Sequence, residues 1–136
     1  MLANKIVVII DADAPVGVAL NAAVLSGISL GSHLPDLTGD DAPDASAQLH
    51  PGVSAHPVPV LKADPTRLSE LHAAAAAHPD LDVHDINQVA RTSRSYDQYL
   101  ATMSGTKAED LEYTALAIHG PRRAVDSLTG ALALYR

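Results

Sequence analysis

From Lys5 to Ile10 the chain reads Lys-Ile-Val-Val-Ile-Ile, and every residue after the lysine is branched at Cβ. Such side chains lose rotamer freedom in a helix and fit the pleated surface of a strand. A run with no polar alternation matches a strand buried on both faces, the habit of sheets covered above and below. It stops at Asp11-Ala12-Asp13-Ala14-Pro15, and a helical stretch follows from Pro15 to about Leu30, with Gly31 as its expected end. Proline suits a first helical turn because its missing N–H would be unbonded there anyway. This helix is apolar nearly all round, so it is expected to be covered on two sides, by the sheet and by a second element or a partner subunit.

Ser32 to His56 is irregular, punctuated by Pro35, Gly39, Pro43, Pro51 and Gly52. Pro57 to Ala63 reads as a second strand whose leading prolines point to an edge position. Asp64-Pro65 is a helix start, with Asp as cap and Pro at the first position. That helix continues through the five alanines Ala73 to Ala77 and ends by Pro79. Leu81 to Ile86 alternates as a third strand, Gln88 to Met103 reads as one helix closed by Gly105, and Leu111 to His119 reads as a fourth strand. A last helix runs from Gly120-Pro121 to Gly130. This order predicts an α/β fold in one domain spanning residues 1–136, a three-layer α/β/α sandwich around a mostly parallel or mixed sheet of four to five strands.

Nine basic residues against sixteen acidic ones leave a formal charge of −7. Gripping a phosphate backbone requires a basic surface, and the chain has only Lys5, Lys62 and Lys107 besides its arginines, so nucleic acid is an unfavoured partner. The absence of cysteine excludes disulfides, thiolate nucleophiles and cysteine metal ligands. Met-Leu-Ala-Asn-Lys passes straight into the first strand, so no signal peptide is expected. The longest apolar stretch, interrupted by Asn21, Ser26 and Gly27, is read as too short for a membrane span. The expected setting is cytoplasmic.

Several segments carry a family likeness. Val60-Leu61-Lys62-Ala63-Asp64 with Leu68, Glu70 and Leu71, then Asp85 with Arg91-Thr92, then Val125 to Leu132, resemble the type II peptidyl-tRNA hydrolases. Residues 5–135 resemble more closely a family of uncharacterised bacterial proteins assigned to the same fold. The signals are Asn21-Ala22-Ala23-Val24-Leu25, Ser29-Leu30-Gly31, His50-Pro51-Gly52, Ser93-Arg94-Ser95-Tyr96-Asp97 with Tyr99, and Gly120-Pro121-Arg122. The resemblance implies a peptidyl-tRNA hydrolase II-like fold. It also implies a departure: the hydrolases carry a Gly-Lys-Gly-Lys stretch and a histidine on the first helix, where this chain has Gly17-Val18-Ala19-Leu20 and, near the histidine position, Gly27. Valine and leucine neither hold a phosphate nor move a proton, so the resemblance implies the fold without the hydrolase chemistry.

The candidate site residues follow from strand ends and from the likeness. Ligands of open α/β sheets bind beyond the carboxyl ends of parallel strands, which directs attention to Asp11 and Asp13, Asp64, and Asp85 with Asn87. Asp64 is explained equally by capping. Asn21 within an apolar helix calls for a specific partner, either a buried structural hydrogen bond or a ligand. Tyr96 and Tyr99 share a helix face, packed with Val89 and Leu100 or placed at a crevice mouth. His33, His50 and His56 with Asp36, Asp40, Asp41 and Asp44 match no metal-ligand spacing, and His119 is expected to be packed. No metal or cofactor is assigned.

Three functions compete. The first is a protein that binds a small molecule or protein partner in a crevice where Asn21, His50 and Asp85 converge, with Asp11 and Tyr99 contributing. The second is a hydrolase of peptidyl-tRNA or another acylated substrate through Asp85, Arg91 and Thr92. No Gly-x-Ser-x-Gly elbow or phosphate loop supports it. The third is an interaction module, a homodimer formed on the first helix.

Overall fold

A computed structural model describes residues 3–136. The Ile-Val run forms β1 (Asn4–Asp11), an inner strand of a four-stranded sheet. It pairs in parallel with β4 (Val60–Ala63) and antiparallel with β6 (Tyr113–Pro121), which in turn pairs antiparallel with β5 (Asp82–Asn87). The order is β4-β1-β6-β5. Strands β1, β4 and β5 therefore run one way and β6 runs against them, so the sheet is mixed and not largely parallel. The physical reason lies in the segment between β5 and β6. A parallel return requires a crossover along the sheet, and here the chain stays at one end. Its neck is closed by Gln88, whose backbone N–H donates to Glu112 O at 3.1 Å and whose side chain holds Asp110 O at 2.9 Å and Glu112 N at 2.7 Å.

That excursion holds two helices, α3 (Gln88–Thr92) and α4 (Tyr96–Ser104), where the sequence reading expected one. Asn87 caps α3, accepting from Val89 N and Ala90 N. Ser95 caps α4, accepting from Gln98 N at 3.1 Å, while Gln98 Oε1 reaches back to the Arg94 N–H at 2.6 Å. This Ser-x-x-Gln arrangement is a variant of the capping box, the glutamine closing on the N–H one residue before the cap; it breaks the helix at Ser93–Ser95.

The two faces of the sheet are covered differently. Val7, Ile9, Leu61, Leu116 and Ile118 point toward α2 (Pro65–Ala77) and α5 (Arg122–Thr129) and meet Leu68, Leu71, Ala75 and Val125. Asp64 caps α2, accepting from Arg67 N at 2.8 Å, as its sequence predicts. Val8, Ile10, Ala115 and Ala117 point the other way, toward α1 (Val16–His33), and meet Ala19 and Ala22. Three layers result. Helix α1 continues through Gly31, the expected stop. Its eighteen residues, of mean hydropathy 1.3, are long and apolar enough to cross a membrane by length and composition, longer than the sequence reading allowed. In the fold it lies on the sheet through Ala19, Ala22, Ser26 and Leu30. Val18, Ala23 and Ser29 beside that stripe are half-buried, whereas Val16, Leu20, Val24 and Ile28 stand outward at 61–64% exposure.

β4 is an edge strand, as its prolines predict, and the tail covers its outer side: Lys62 N donates to Ala133 O and Tyr135 N to Val60 O. The segment between α1 and β4 is largely exposed and contains a two-stranded hairpin, β2 (Ala42–Pro43) with β3 (Leu49–His50). Asp44 organises its turn, accepting from Ser46 N and Gln48 N and pairing with His50 Nε2 at 2.9 Å. These contacts hold its carboxyl below the usual carboxylate range, the His50 hydrogen bond contributing most.

Candidate functional site

The excursion after β5, the end of that strand and the C-terminal half of α1 enclose a cavity of about 630 Å³. Leu25, Ile28, Ile86 and Ala90 supply an apolar lining, and Ser29, Asp85, Arg94 and Tyr99 supply polar groups. A concave, mainly apolar space with a few converging polar groups is the usual form of a small-molecule site.

Asp85 is the best-supported of these groups. Its Oδ1 accepts from Asn87 Nδ2 at 3.1 Å, and its Oδ2 lies 3.2 Å from His72 Nε2. His72 Nδ1 is 3.2 Å from the Tyr113 hydroxyl, and the two rings stack with centroids 4.4 Å apart. One tautomer satisfies every contact: with the proton on Nε2, His72 donates to Asp85 and accepts from Tyr113. Asn87 is fully buried and uses both ends of its amide, one to cap α3 and one to orient Asp85. The start of the excursion and the direction of the carboxylate are thereby fixed by one residue. Burial and then the Asp85 charge push the phenols of Tyr99 and Tyr113 above the ordinary tyrosine range. Both hydroxyls thus keep their protons at neutral pH.

A second pair joins α1 to the sheet edge. Ser29 Oγ lies 2.7 Å from His84 Nδ1. His33 packs edge-on against the His84 ring with centroids 4.9 Å apart, and its Nδ1 is 2.9 Å from Ser29 O. His84 titrates below the ordinary histidine range, chiefly through burial and then through the charge of His33, with Asp82 and Asp85 opposing. Neutral imidazole next to a serine hydroxyl can accept its proton.

Of the sequence-derived candidates, Asp85 and Tyr99 line the cavity, and Tyr96 stands beside Tyr99 at its mouth with ring centroids 5.4 Å apart. The expected convergence of Asn21 and His50 on Asp85 is not what the fold produces. Asn21 is exposed on the outer side of α1, because the buried stripe runs through 19, 22, 26 and 30; the buried hydrogen bond read for it is likewise not formed. His50 belongs to the β2–β3 hairpin and pairs with Asp44. Asp11 shapes the turn after β1, accepting from Asp13 N at 2.9 Å. Arg91 and Thr92 are exposed on α3 outside the lining, and Thr92 Oγ1 donates to Gln88 O. His119 is half-buried and 3.2 Å from Asp82.

Sequence reasoning missed Ser29, His72, His84, Arg94 and Tyr113. Ser29 and His84 are 55 positions apart, and His72 and Tyr113 are 41 apart, so no local spacing announces either pair. Arg94 was legible as the residue just before the Ser95-x-x-Gln98 box.

No curated protein matches the chain. Among solved structures, the chain is similar to the protein of unknown function Atu0240 from Agrobacterium tumefaciens strain C58, at 18% identity, a TM-score of 0.91 and full coverage of both chains. That likeness shows the shared fold. A family model described as "Protein of unknown function (DUF2000)" matches residues 4–136, nearly the whole chain, and the chain belongs to that family.

Proposed function

We propose that this protein binds a small organic molecule in the crevice between α1, the end of β5 and α3–α4. The observation that carries the reading is the cavity of about 630 Å³, whose mainly apolar lining includes a cation, Arg94, and reaches Asp85 at the end of β5. Among the described residues Arg94 makes no ion pair, whereas Asp85 is held by His72 and Asn87. A ligand with an apolar body and an anionic end fits this pairing, the anion at Arg94 and a hydrogen-bond donor at Asp85. The fold is read as that of the type II peptidyl-tRNA hydrolases without their helix lysines and histidine, with Val18, Leu20 and Gly27 in those places. Peptidyl-tRNA offered to the purified chain should therefore survive intact; turnover abolished by Asp85→Ala would overturn this. The binding reading is tested by amide-resolved NMR titration with a fragment library. Coincident shifts at Leu25, Ile28, Asp85 and Arg94, weakened in Arg94→Gln, are expected. Shifts confined to other surfaces would sink it.

The outer stripe of α1 supports a further element of this reading, a second copy of the chain seated on it. Val16, Leu20, Val24 and Ile28 are uncharged and therefore self-complementary across a two-fold axis. Gly17, Gly27 and Gly31 leave the helix surface open to close approach. Ile28 also lines the crevice, so dimerisation would shield its mouth. The Ser29–His84 contact favours a second reading, a hydrolase of a small acylated substrate with Ser29 as nucleophile. A phosphonofluoridate probe is expected to label Ser29 if this holds, and an unlabelled Ser29 removes it.

A further inference from the structure

A second cavity, of about 170 Å³, lies at the opposite end of the sheet, enclosed by the start of β1, the segment before β4 and the start of α5. Its lining is Asn4, Lys5, His56, Pro57, Pro59 and Arg122. Two buried nitrogens belong to this lining and have no hydrogen-bond partner, His56 Nδ1 and Arg122 Nε. A guanidinium N–H is a donor under all conditions, and buried donors in folded proteins are almost always satisfied. Arg122 makes no ion pair among the described residues, and Lys5 shares its charge with Asp126 Oδ1 at 2.6 Å. Prolines contribute no N–H, and the carbonyl of Pro59 is already engaged by Val8 N at 3.0 Å. The cavity thus gathers cationic groups and two unsatisfied nitrogens with no carboxylate in its lining, in a chain whose net charge is −7. At about 30 Å³ per water, its volume of about 170 Å³ corresponds to between five and six waters, room for one tetrahedral oxyanion together with waters beside it. Arg122 is the first residue of α5, and the positive end of the helix dipole adds to the same field.

We propose that this cavity binds a small oxyanion, inorganic phosphate or the phosphate group of a small phosphomonoester. Arg122 is the principal donor, Lys5 contributes charge, and His56 donates from Nδ1 in the tautomer that carries its proton there. The site is independent of the crevice at the other end of the sheet, so either reading stands without the other.

The test is calorimetric titration of the full chain in a phosphate-free buffer, with sodium phosphate, with glycerol 2-phosphate, and with sodium chloride at matched ionic strength. Saturable one-site binding of phosphate or the phosphomonoester is expected, with no equivalent heat from chloride. The tighter of the two ligands identifies the source of the anion. Arg122→Gln should weaken binding at least about tenfold, by the loss of a charge-assisted contact, while the neighbouring Arg123→Gln binds as wild type. Phosphate should also raise the melting temperature of the wild type and of Arg123→Gln, and raise that of folded Arg122→Gln by less at the same concentration. Equal responses to phosphate and matched chloride, or wild-type binding by Arg122→Gln, overturn the proposal. Should Arg122→Gln fail to fold, His56→Phe replaces it, with at least a threefold loss expected; unchanged affinity then counts against the site.

Discussion

The face of the sheet beneath α2 and α5 is built mainly from leucine, isoleucine and valine, whereas the face beneath α1 sets two alanines, Ala115 and Ala117, beside Val8 and Ile10. Strand β6 makes the contrast within a single run: Leu116 and Ile118 enter the first cluster, and Ala115 and Ala117 enter the second. Large interdigitating side chains bury more apolar area and lock their neighbours. Small ones let a helix come close while burying little of it. Helix α1 accordingly rests on the sheet through Ala19, Ala22, Ser26 and Leu30 and keeps its large apolar residues outside. One face buries the larger side chains, and the other carries the crevice and the exposed stripe.

The contrast can be broken most directly at Leu116, which is fully buried. Leu116→Ala should cost about 2–5 kcal/mol, the usual range for a leucine deleted from a core, read as a lower midpoint in urea. A cost well under that range would mean the α2–α5 face is not the stable one. On the other side of the same strand, Ala117→Leu should cost about 1–3 kcal/mol by overpacking, and should also shift the amide resonances of Ser29 and Ile28 as α1 is pushed outward. If Ala117→Leu is neutral, α1 is not closely seated.

The helix starts differ as well. Asp64 caps α2, while Pro15 gives α1 no side-chain cap. Asp64→Ala should therefore lower stability by about 1 kcal/mol, detectable as a drop in melting temperature, and Pro15→Ala should lack any loss from a missing cap hydrogen bond. On the exposed stripe, Leu20→Asp should change monomer stability by no more than about 0.5 kcal/mol, yet abolish self-association in sedimentation velocity. A wild-type chain that sediments as a monomer at high concentration would remove the second copy from the α1 face.

The smallest effect is electrostatic. Folded His84 titrates below the ordinary 6.5, so the unfolded chain binds its proton more readily. Stability is unaffected above pH 6.5 and falls as pH drops from there to the lowered value of the folded state. Burial sets that lowered value first, and the charges that face the ring are those of His33, Asp82, Asp85 and His119. Replacing His84 by Gln should flatten the part of the melting-temperature profile between pH 7.5 and 5.5. A profile identical to wild type would show that His84 is not the group responsible.

Much of the architecture was legible in sequence because its signals are local. The β-branched run marks β1, Asp64-Pro65 marks the start of α2, and the prolines before Val60 mark an edge. The break between α3 and α4 was also written locally, in Ser95-x-x-Gln98, although the apolar spacing across it reads as one continuous helix. The site was less legible. Asp85 and Tyr99 could be named from their strand end and helix face. Asn21 could not be assigned a direction, since a helix apolar nearly all round does not reveal which stripe is buried.

The amino-acid sequence by itself determined the strands of the main sheet and the helices that cover it, where α2 begins, and that the chain is acidic and without cysteine, because these depend on side-chain shape, charge and interactions only a few residues apart. Tertiary structure alone decided that β6 opposes the other strands, that Ala115 and Ala117 of β6 turn toward α1, and that Ser29 meets His84 while His72 joins Tyr113 to Asp85. Those outcomes turn on whether the chain crosses the sheet or folds back at its end, and on which face of a nearly uniform helix finds the closest packing. Both are settled by contacts between residues tens of positions apart.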